Sequence, residues 1–138
     1  MKTRIETIEG FWVIGYKHVG TTAEIPRIWD KLNATLKIDN ISVDTFYGVC
    51  IDFDREGKLH YLAGIQDLVD RSDVEKIKIE SGRYIVATVE NGIPGIKPAF
   101  QALHEKTDVQ FRFAPNFEKY LYPASATDHV IEVWMPIK

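Results

Sequence analysis

The stretch FWVIGYKHVGTTAEIPRIWDKLNATLKI, residues 11–38, changes its hydrophobic period halfway and thereby decides the fold. An apolar-rich run at 11–19 ends at Gly20, as a strand ends at a turn. From 24 to 38 the apolar residues recur every three or four positions, which is typical of one buried helix face. Pro26 suits the first helical turn, where its missing N–H costs nothing. A strand and then a helix are predicted, and the apolar helix positions are Ile25, Ile28, Trp29, Leu32 and Leu36.

The residues on either side extend this pair of elements into a larger unit. FYGVCIDF (46–53) and KLHYLAGIQ (58–66) both have strand composition, and DREG (54–57) between them is typical of a turn. We expect these two strands to pair as a hairpin. A short leading strand, TRIETI (3–8), precedes the unit. The predicted order is therefore β-α-β-β behind a leading strand.

The second half of the chain repeats this order. A strand that ends at Gly92 again leads into a helix with a proline near its start, and two further strands follow. Ile25 and Trp29 of the first helix align with Ile96 and Phe100 of the second, whose apolar face also includes Leu103. The corresponding segments are KIKIES (76–81), RYIVATVEN (83–91), IPGIKPAFQALHEK (93–106), NFEKYLY (116–122) and HVIEVWMPI (129–137), with PASATD (123–128) as the turn.

A duplicated β-α-β-β unit predicts an α+β fold. We expect one domain, residues 1–138, with pseudo-repeats at about 1–70 and 71–138 and a polar linker at 67–75. The strands should form one curved antiparallel sheet, or two half-sheets, with the two main helices covering one face. The opposite face should hold a ligand cleft between the halves, because ligand sites favour such junctions.

Composition argues against several classes of function. The net charge is −3 and the basic residues are scattered, whereas a nucleic-acid surface needs a clustered basic footprint. No helix-turn-helix pattern is present, so we expect neither a DNA-binding domain nor direct contact with nucleic acid. The sequence contains no run of about 18 apolar residues, so no membrane span is expected. The N-terminus lacks the apolar region of a signal peptide, and the lone Cys50 cannot form an internal disulfide, so a reduced cytoplasmic setting is expected.

We expect no cofactor and no metal. The acidic turn at 52–57 imitates the start of a calcium loop, but Ala63 stands where the twelfth-position acid is needed, so a hairpin turn is the better interpretation. No glycine-rich phosphate loop is found. The histidines show no metal-ligand spacing; they are His18, His60, His104 and His129.

The stretch PNFEKYLYPAS, residues 115–125, places one acid among several aromatic rings. In a strand, side chains alternate between the two faces. Glu118, Tyr120 and Tyr122 would then point one way, and Phe117 and Lys119 the other. This arrangement could be an ordinary solvated sheet face, or it could be a pocket that needs one negative charge.

With F-E-x-Y at 117–120 and E-V-W-M-P-I-K at 132–138, the duplicated layout resembles the GyrI-like effector-binding domain family across essentially the whole chain. The same domain senses ligands in AraC-type and MerR-type multidrug regulators and also occurs as a stand-alone protein. The resemblance implies a cleft lined by aromatic rings around a buried glutamate, which maps to Glu118. It implies binding of lipophilic cations or other amphipathic small molecules, for sequestration or for transcription-related sensing without an attached DNA-binding domain.

Further residues are expected to line this cleft. Glu132 and Trp134 share one face of the last strand, while the apolar residues between them should face the helices. The remaining candidates are tyrosines on the first-half strands and a tryptophan of the first helix, each of which could instead be packed in the core. The predicted ligand-binding residues are Glu118, Tyr120, Trp134, Glu132, Trp29, Tyr47, Tyr16 and Tyr61.

Two other functions remain open. Some branches of the family resemble small-molecule hydrolases, and a desolvated Glu118 could act there as a general acid or base on a bound water, although no nucleophile–base pair is evident. The family's namesake resembles an inhibitor of DNA gyrase that acts through protein contact. A protein partner or a homodimer is therefore also possible, and a catalytic role for Glu118 is the alternative to a binding role.

Overall fold

The repeated pattern folds into an antiparallel sheet of eight strands with two helices packed against it. A computed structural model describes residues 2–66, 73–121 and 130–138. The helices are α1 (Ile25–Ile38) and α2 (Ile96–His104). The strands are β1 (Thr3–Ile8), β2 (Phe11–Gly20), β3 (Thr45–Phe53), β4 (Leu59–Ile65), β5 (Glu75–Ile79), β6 (Gly82–Thr88), β7 (Asn116–Leu121) and β8 (Val130–Ile137).

Local sequence explains where α1 begins and ends. A short 3₁₀ turn (Thr22–Glu24) leads into the helix, and Pro26 occupies its first turn as predicted. After the helix, Asn40 adopts a φ of 54°, a left-handed conformation that asparagine tolerates better than most residues. The backbone N–H of Ile41 then donates to the carbonyl of Leu36 at 2.8 Å, which closes the helix end before β3.

The strand order β1-β6-β8-β7-β3-β4-β2-β5 is symmetric about its centre. Strands β3 and β7, the equivalent strands of the two copies, pair antiparallel in the middle, where Gly48 lies opposite Glu118. The leading strands cross between the copies. Strand β1 pairs with β6 of the second copy, and β5 pairs with β2 of the first. Each copy therefore supplies the outer strand of the other.

The sheet curls into a half-barrel. Strands β2 and β7 are separated by two other strands, yet the rings of Phe11 and Phe117 lie only 6.2 Å apart. Neighbouring strands are about 4.8 Å apart, so this contact requires strong curvature. The concave face is filled by a core cluster without helix residues: Val13, Tyr47, Val49, Leu62, Ile79, Tyr84, Val86, Phe117 and Trp134.

The helices pack on the opposite, convex face. Leu32 and Leu36 of α1 cover the first-half strands, while Ala99 and Leu103 of α2 contact the cluster that includes Val133. The predicted fold class, a curved antiparallel sheet with two helices on one face, is confirmed. On the face opposite the helices, where a ligand cleft between the halves was expected, the described residues place buried aromatic and aliphatic side chains. The turn predicted at 123–128 and the linker residues 67–72 lie outside the described residues.

Candidate functional site

The carboxyl group of Glu118 lies near the centre of the sheet on its convex face. The side chain pairs across β7 and β8 with Val133, which belongs to the cluster under α2. Only 9% of Glu118 is exposed. Its Oε1 accepts two hydrogen bonds, from the hydroxyl of Tyr120 at 2.6 Å and from that of Tyr61 at 2.8 Å. The predicted sharing of one face by Glu118 and Tyr120 is confirmed, whereas Tyr122 lies outside the described residues.

A glycine on β3 makes room for this group. Gly48 lies opposite Glu118 in β7 and opposite Ala63 in β4. A Cβ atom on residue 48 would lie 1.9 Å from the Tyr61 hydroxyl and 2.7 Å from Glu118 Oε1. Such distances are far inside van der Waals contact. The lack of a side chain at this position therefore allows the hydroxyl of Tyr61 to reach the carboxylate.

Aromatic rings wall the site on the side of α1. The ring of Trp29 meets that of Tyr120 edge-on, with centroids 5.2 Å apart, and that of Phe46 at 6.3 Å. Trp29 and Phe46 are only partly buried, so this wall borders the surface. Edge-to-face packing of this kind contributes roughly 0.5–1.5 kcal/mol per pair beyond the buried area. The rings thus form a stable apolar cover beside the acid.

Burial controls the electrostatics of the site. Desolvation raises the pKa of Glu118 above its ordinary value, and the hydrogen bonds from Tyr120 and Tyr61 offset only part of that shift. Desolvation, and then the nearby Glu118, also raises the pKa of Tyr61 and of Cys50. Within residues 2–66, 73–121 and 130–138, no lysine, arginine or histidine forms an ion pair with Glu118. Among the residues that the structure describes, the Glu118 carboxyl is thus a buried acid without a counter-cation.

The structure brings four of the eight predicted site residues together. Glu118, Tyr120, Tyr61 and Trp29 form one contiguous group through the hydrogen bonds and ring contacts above. Tyr16 belongs to the same core cluster as Tyr61, but its hydroxyl is bonded elsewhere, to Thr35 at 2.8 Å and to Asp73 at 3.2 Å.

The other three predicted residues lie on the concave face, which corrects the expectation that they share a cleft with Glu118. Trp134 pairs with Phe117 across β7 and β8, and their rings stack at 5.3 Å. Glu132 accepts a hydrogen bond from Trp134 Nε1 and forms a 2.7 Å ion pair with Arg4. Tyr47 packs in the concave core, where burial, and then Asp44 and Glu132, raises its pKa to about 12.

Sequence reasoning missed Phe46 and Gly48. Both lie on the same face of β3, and a glycine inside a strand often marks the close approach of another group. That signal was present in FYGVCIDF, but which group approaches Gly48 depends on the pairing of β3 with β7. Phe46 lies opposite Tyr120 in that same pairing, which explains its place in the aromatic wall.

The described residues include no group of three or more histidine, cysteine, aspartate or glutamate side chains that could hold a metal ion. At the acidic hairpin turn, Asp54 accepts backbone hydrogen bonds from Glu56 and Lys58, as the turn interpretation requires. In this part of the chain, neither helix has the length and apolarity needed to cross a bilayer.

Comparison with protein families matches the whole chain, residues 1–138, to the GyrI-like small molecule binding domain. Curated protein sequences give no significant match. The fold is similar to that of SAV2435 bound to tetraphenylphosphonium, with a TM-score of 0.75 and 19% identity over 100% of this chain and 94% of that one. It is also similar to that of a putative transcription regulation protein from Staphylococcus aureus MU50, with a TM-score of 0.73 and 19% identity over 100% of this chain and 99% of that one.

A hydrolase encoded by lin2189 from Listeria innocua also has this fold, with a TM-score of 0.61 and 13% identity over 99% of this chain and 92% of that one. At these identities the likeness concerns the fold. The three neighbours carry different functional descriptions, so the chemistry of this chain has to be argued from its own side chains.

Proposed function

Because this chain belongs to the GyrI-like small molecule binding domain family, we propose that it is a receptor for amphipathic organic cations, with Glu118 as the counter-charge. The observation that carries the proposal is the burial of the Glu118 carboxyl with phenol donors and without a cation from any described residue. An ionised acid without a charged partner is costly to bury. A bound cation would remove that cost, whereas a neutral or anionic ligand would not.

The neighbouring rings fit the apolar part of such a ligand. A delocalised organic cation has large hydrophobic surfaces, and an aromatic face attracts it by roughly 0.5–2 kcal/mol per contact. Trp29, Phe46 and Tyr120 offer these faces next to Glu118. The likeness in fold to SAV2435 bound to tetraphenylphosphonium supports the same class of ligand.

Entry of a ligand requires the wall to open. Tyr120 and Glu118 are both buried, but Trp29 and Phe46 remain partly exposed. We place the entrance at these two side chains, between α1 and the start of β3. Displacing the Trp29 ring from Tyr120 would uncover the carboxylate without breaking the sheet. A receptor of this kind can sequester a toxic cation or report its presence to a partner.

The direct test is a titration with tetraphenylphosphonium, with triphenylphosphine oxide as a neutral aromatic control. Isothermal titration calorimetry and tryptophan fluorescence are followed for the unsubstituted protein, for Glu118→Gln and for Glu56→Gln, an exposed acid of the hairpin turn. We expect the phosphonium to bind preferentially. Glu118→Gln should weaken binding by about 2–5 kcal/mol, roughly 30-fold or more, as when one member of a buried charge pair is removed. Glu56→Gln should bind normally.

Equal binding of the cation and the neutral control, or binding insensitive to Glu118→Gln, would refute the proposed role of this carboxylate. Mass spectrometry of the same mixtures, extended to strained electrophilic ligands, tests the hydrolase alternative. A carboxyl with a raised pKa can serve as a general acid, so Glu118-dependent product formation would identify an enzyme.

A further inference from the structure

The two central strands, β3 and β7, carry successive cross-strand pairs on the convex face. These pairs, which we call the central row, are Phe46–Tyr120, Gly48–Glu118 and Cys50–Asn116. Neighbouring pairs of the row are two residues apart, which is about 6.6 Å along a strand, so the whole row extends about 13 Å. It runs from an aromatic pair, through the acid of the proposed cation site, to a small polar pair.

The two helices lie on either side of the central row. Helix α1 packs mainly on β2 and β4, and α2 mainly on β8 and β6, so the strands between them belong chiefly to neither helix. Trp29 of α1 contacts the aromatic end through Tyr120 and Phe46. Phe46 at one end and Cys50 and Asn116 at the other are only partly buried. A ligand at Glu118 could therefore extend toward either end of the row.

The polar end of the row holds a buried oxygen atom without a hydrogen bond. Asn116 Oδ1 is shielded from solvent and accepts no hydrogen bond from any residue within 2–66, 73–121 and 130–138. Such atoms are rare in folded proteins, and each calls for an explanation such as a water molecule, an ion or a ligand. Strand alternation directs the side chains of Asn116 and Glu118 to the same face.

The neighbour of Asn116 across the strands confirms this placement. Cys50, which lies opposite Asn116, packs against the convex cluster beneath α1. Glu118 also contributes to the raised pKa of the Cys50 thiol, after desolvation, so the acid and the polar end share one electrostatic environment. The Asn116 oxygen is thus a second acceptor beside the carboxylate.

The two acceptors differ in what they can recognise. A carboxylate attracts any cation, whereas an amide oxygen carries no net charge and recognises a hydrogen-bond donor. A protonated amine or an amidinium has both the charge and several N–H groups. A phosphonium or a quaternary ammonium ion has the charge but no N–H. An ion of the second kind would leave the amide oxygen unpaired, at a cost that the first kind avoids.

We propose that Asn116 is a second ligand-binding residue of the site, and that it selects cations with N–H groups, such as protonated amines and amidines, over fully substituted onium ions. This inference rests on the proposed cation site at Glu118. In the complex, Glu118 neutralises the charge and Asn116 Oδ1 accepts an N–H. The apolar part of the ligand lies at the aromatic end, against Trp29 and Phe46.

The test compares two naphthalene cations of equal charge, 1-naphthylmethylammonium and its N,N,N-trimethyl derivative. Isothermal titration calorimetry gives the Kd of each for the unsubstituted protein, for Asn116→Leu and for Asn33→Leu, a matched control at an exposed asparagine of α1. We expect the unsubstituted protein to bind the ammonium ion more tightly. Asn116→Leu should weaken its binding about tenfold or more, because a hydrogen bond from a charged donor is lost. Binding of the trimethyl derivative should persist, and Asn33→Leu should change neither Kd.

Urea unfolding of the ligand-free proteins separates a binding role from a structural one. Asn116→Leu should leave the free energy of unfolding unchanged or raise it, because the oxygen that is removed has no partner in the folded protein. An amide that merely supports the fold would lose stability instead. Asn116→Ala, which cannot crowd Cys50, replaces the leucine variant if that variant does not fold. The ratio of the two Kd values is measured within one variant, so the fraction of folded protein cancels.

The inference is overturned if the asparagine variant weakens both cations equally, weakens neither, or loses stability without a change in the ratio. Tetraphenylphosphonium, titrated in parallel, distinguishes this failure from that of the proposed function. If the phosphonium binds in a manner that depends on Glu118 but the ratio does not depend on Asn116, the cation site stands and the role of Asn116 falls. If no cation binds, or if Glu118→Gln changes nothing, both proposals fall.

Discussion

Glu118 and Glu132 are two buried acids on opposite faces of the same pair of strands. They are 9% and 6% exposed, respectively, and both lie beside aromatic rings. Glu132 has a cation, because Arg4 reaches it from β1 at 2.7 Å and also lies 5.8 Å from the centre of the Trp134 ring. In the described part of the chain, the partners of Glu118 are the hydroxyl groups of Tyr61 and Tyr120 and include no cation.

The difference shows how one sheet assigns two roles to the same residue type. On the concave face, an acid, an aromatic ring and the chain's own guanidinium complete one another, so Glu132 is a structural residue. On the convex face, the acid and the rings are present, but no cation from residues 2–66, 73–121 or 130–138 joins them. The Arg4–Glu132–Trp134 group is thus an internal example of the arrangement that we propose an organic cation would complete at Glu118.

The largest expected effect comes from removing the cation of the paired acid. Arg4→Met should lower the free energy of unfolding by about 3 kcal/mol, since it leaves Glu132 buried without its charged partner. Urea unfolding followed by circular dichroism measures the change. The double variant Arg4→Met/Glu132→Gln should recover part of the loss. A loss well below 1 kcal/mol in the single variant would mean that solvent, which reaches Arg4, already compensates Glu132.

A somewhat smaller effect is expected from crowding the unpaired acid. Gly48→Ala should lower the free energy of unfolding by about 2 kcal/mol, because the added methyl group collides with the Tyr61 hydroxyl. It should also weaken binding of tetraphenylphosphonium. Combining it with Tyr61→Phe removes the colliding oxygen. The double variant should therefore lose less stability than the sum of the losses in the two single variants. Fully additive losses would contradict the proposed contact.

Neutralising Glu118 and neutralising Glu132 should change the free energy of unfolding in opposite directions. At pH 7, Glu118→Gln should raise the free energy of unfolding by about 1 kcal/mol, because it removes an unpaired buried charge while retaining an oxygen for the tyrosines. Glu132→Gln should lower it, because the 2.7 Å ion pair between Glu132 and Arg4 is lost and Arg4 keeps only its exposed pair with Glu6. Chemical denaturation of both variants decides the point. A destabilised Glu118→Gln protein would show that the phenol hydrogen bonds offset the cost of burying the charge.

The smallest effect is a difference in pH dependence. The folded-state pKa of Glu118 is raised above 4.5, so the folded protein binds more protons than the unfolded chain between 4.5 and the raised value. The stability of the unsubstituted protein relative to Glu118→Gln should therefore fall as the pH rises through that window. Cation affinity should rise over the same window. Parallel stability–pH curves for the two proteins would contradict the raised pKa.

Much of the fold follows from the sequence because strand and helix periods differ and the pattern occurs twice. The alternation within 116–121 correctly separates Glu118 and Tyr120 from Phe117 and Lys119. Alternation cannot say which face of one strand matches which face of the next. A shift of one residue reverses every side chain, and here Glu118 pairs with Val133 rather than with Glu132 or Trp134.

The same limit explains why the sequence did not predict the contact of Gly48 with Tyr61, or that no described residue supplies a cation to Glu118. Ion pairs between distant segments, such as the one between Arg4 and Glu132, depend on the pairing of β1 with β6 and of β6 with β8. Local patterns do not contain that information. They indicated that Glu118 belongs in an aromatic environment, but not that Trp134 would be stacked on the other side of the sheet.

The crossed leading strands also bear on the origin of the molecule. Strand β1 pairs with β6 of the second copy and β5 with β2 of the first, so the leading strand (the arm) of each copy is paired with the other copy. Fusion of two identical chains that had exchanged arms in a homodimer would produce this connectivity. Cutting the chain between the copies would leave each fragment with one arm that fits only the other fragment, so the two pieces should fold by complementing each other rather than separately.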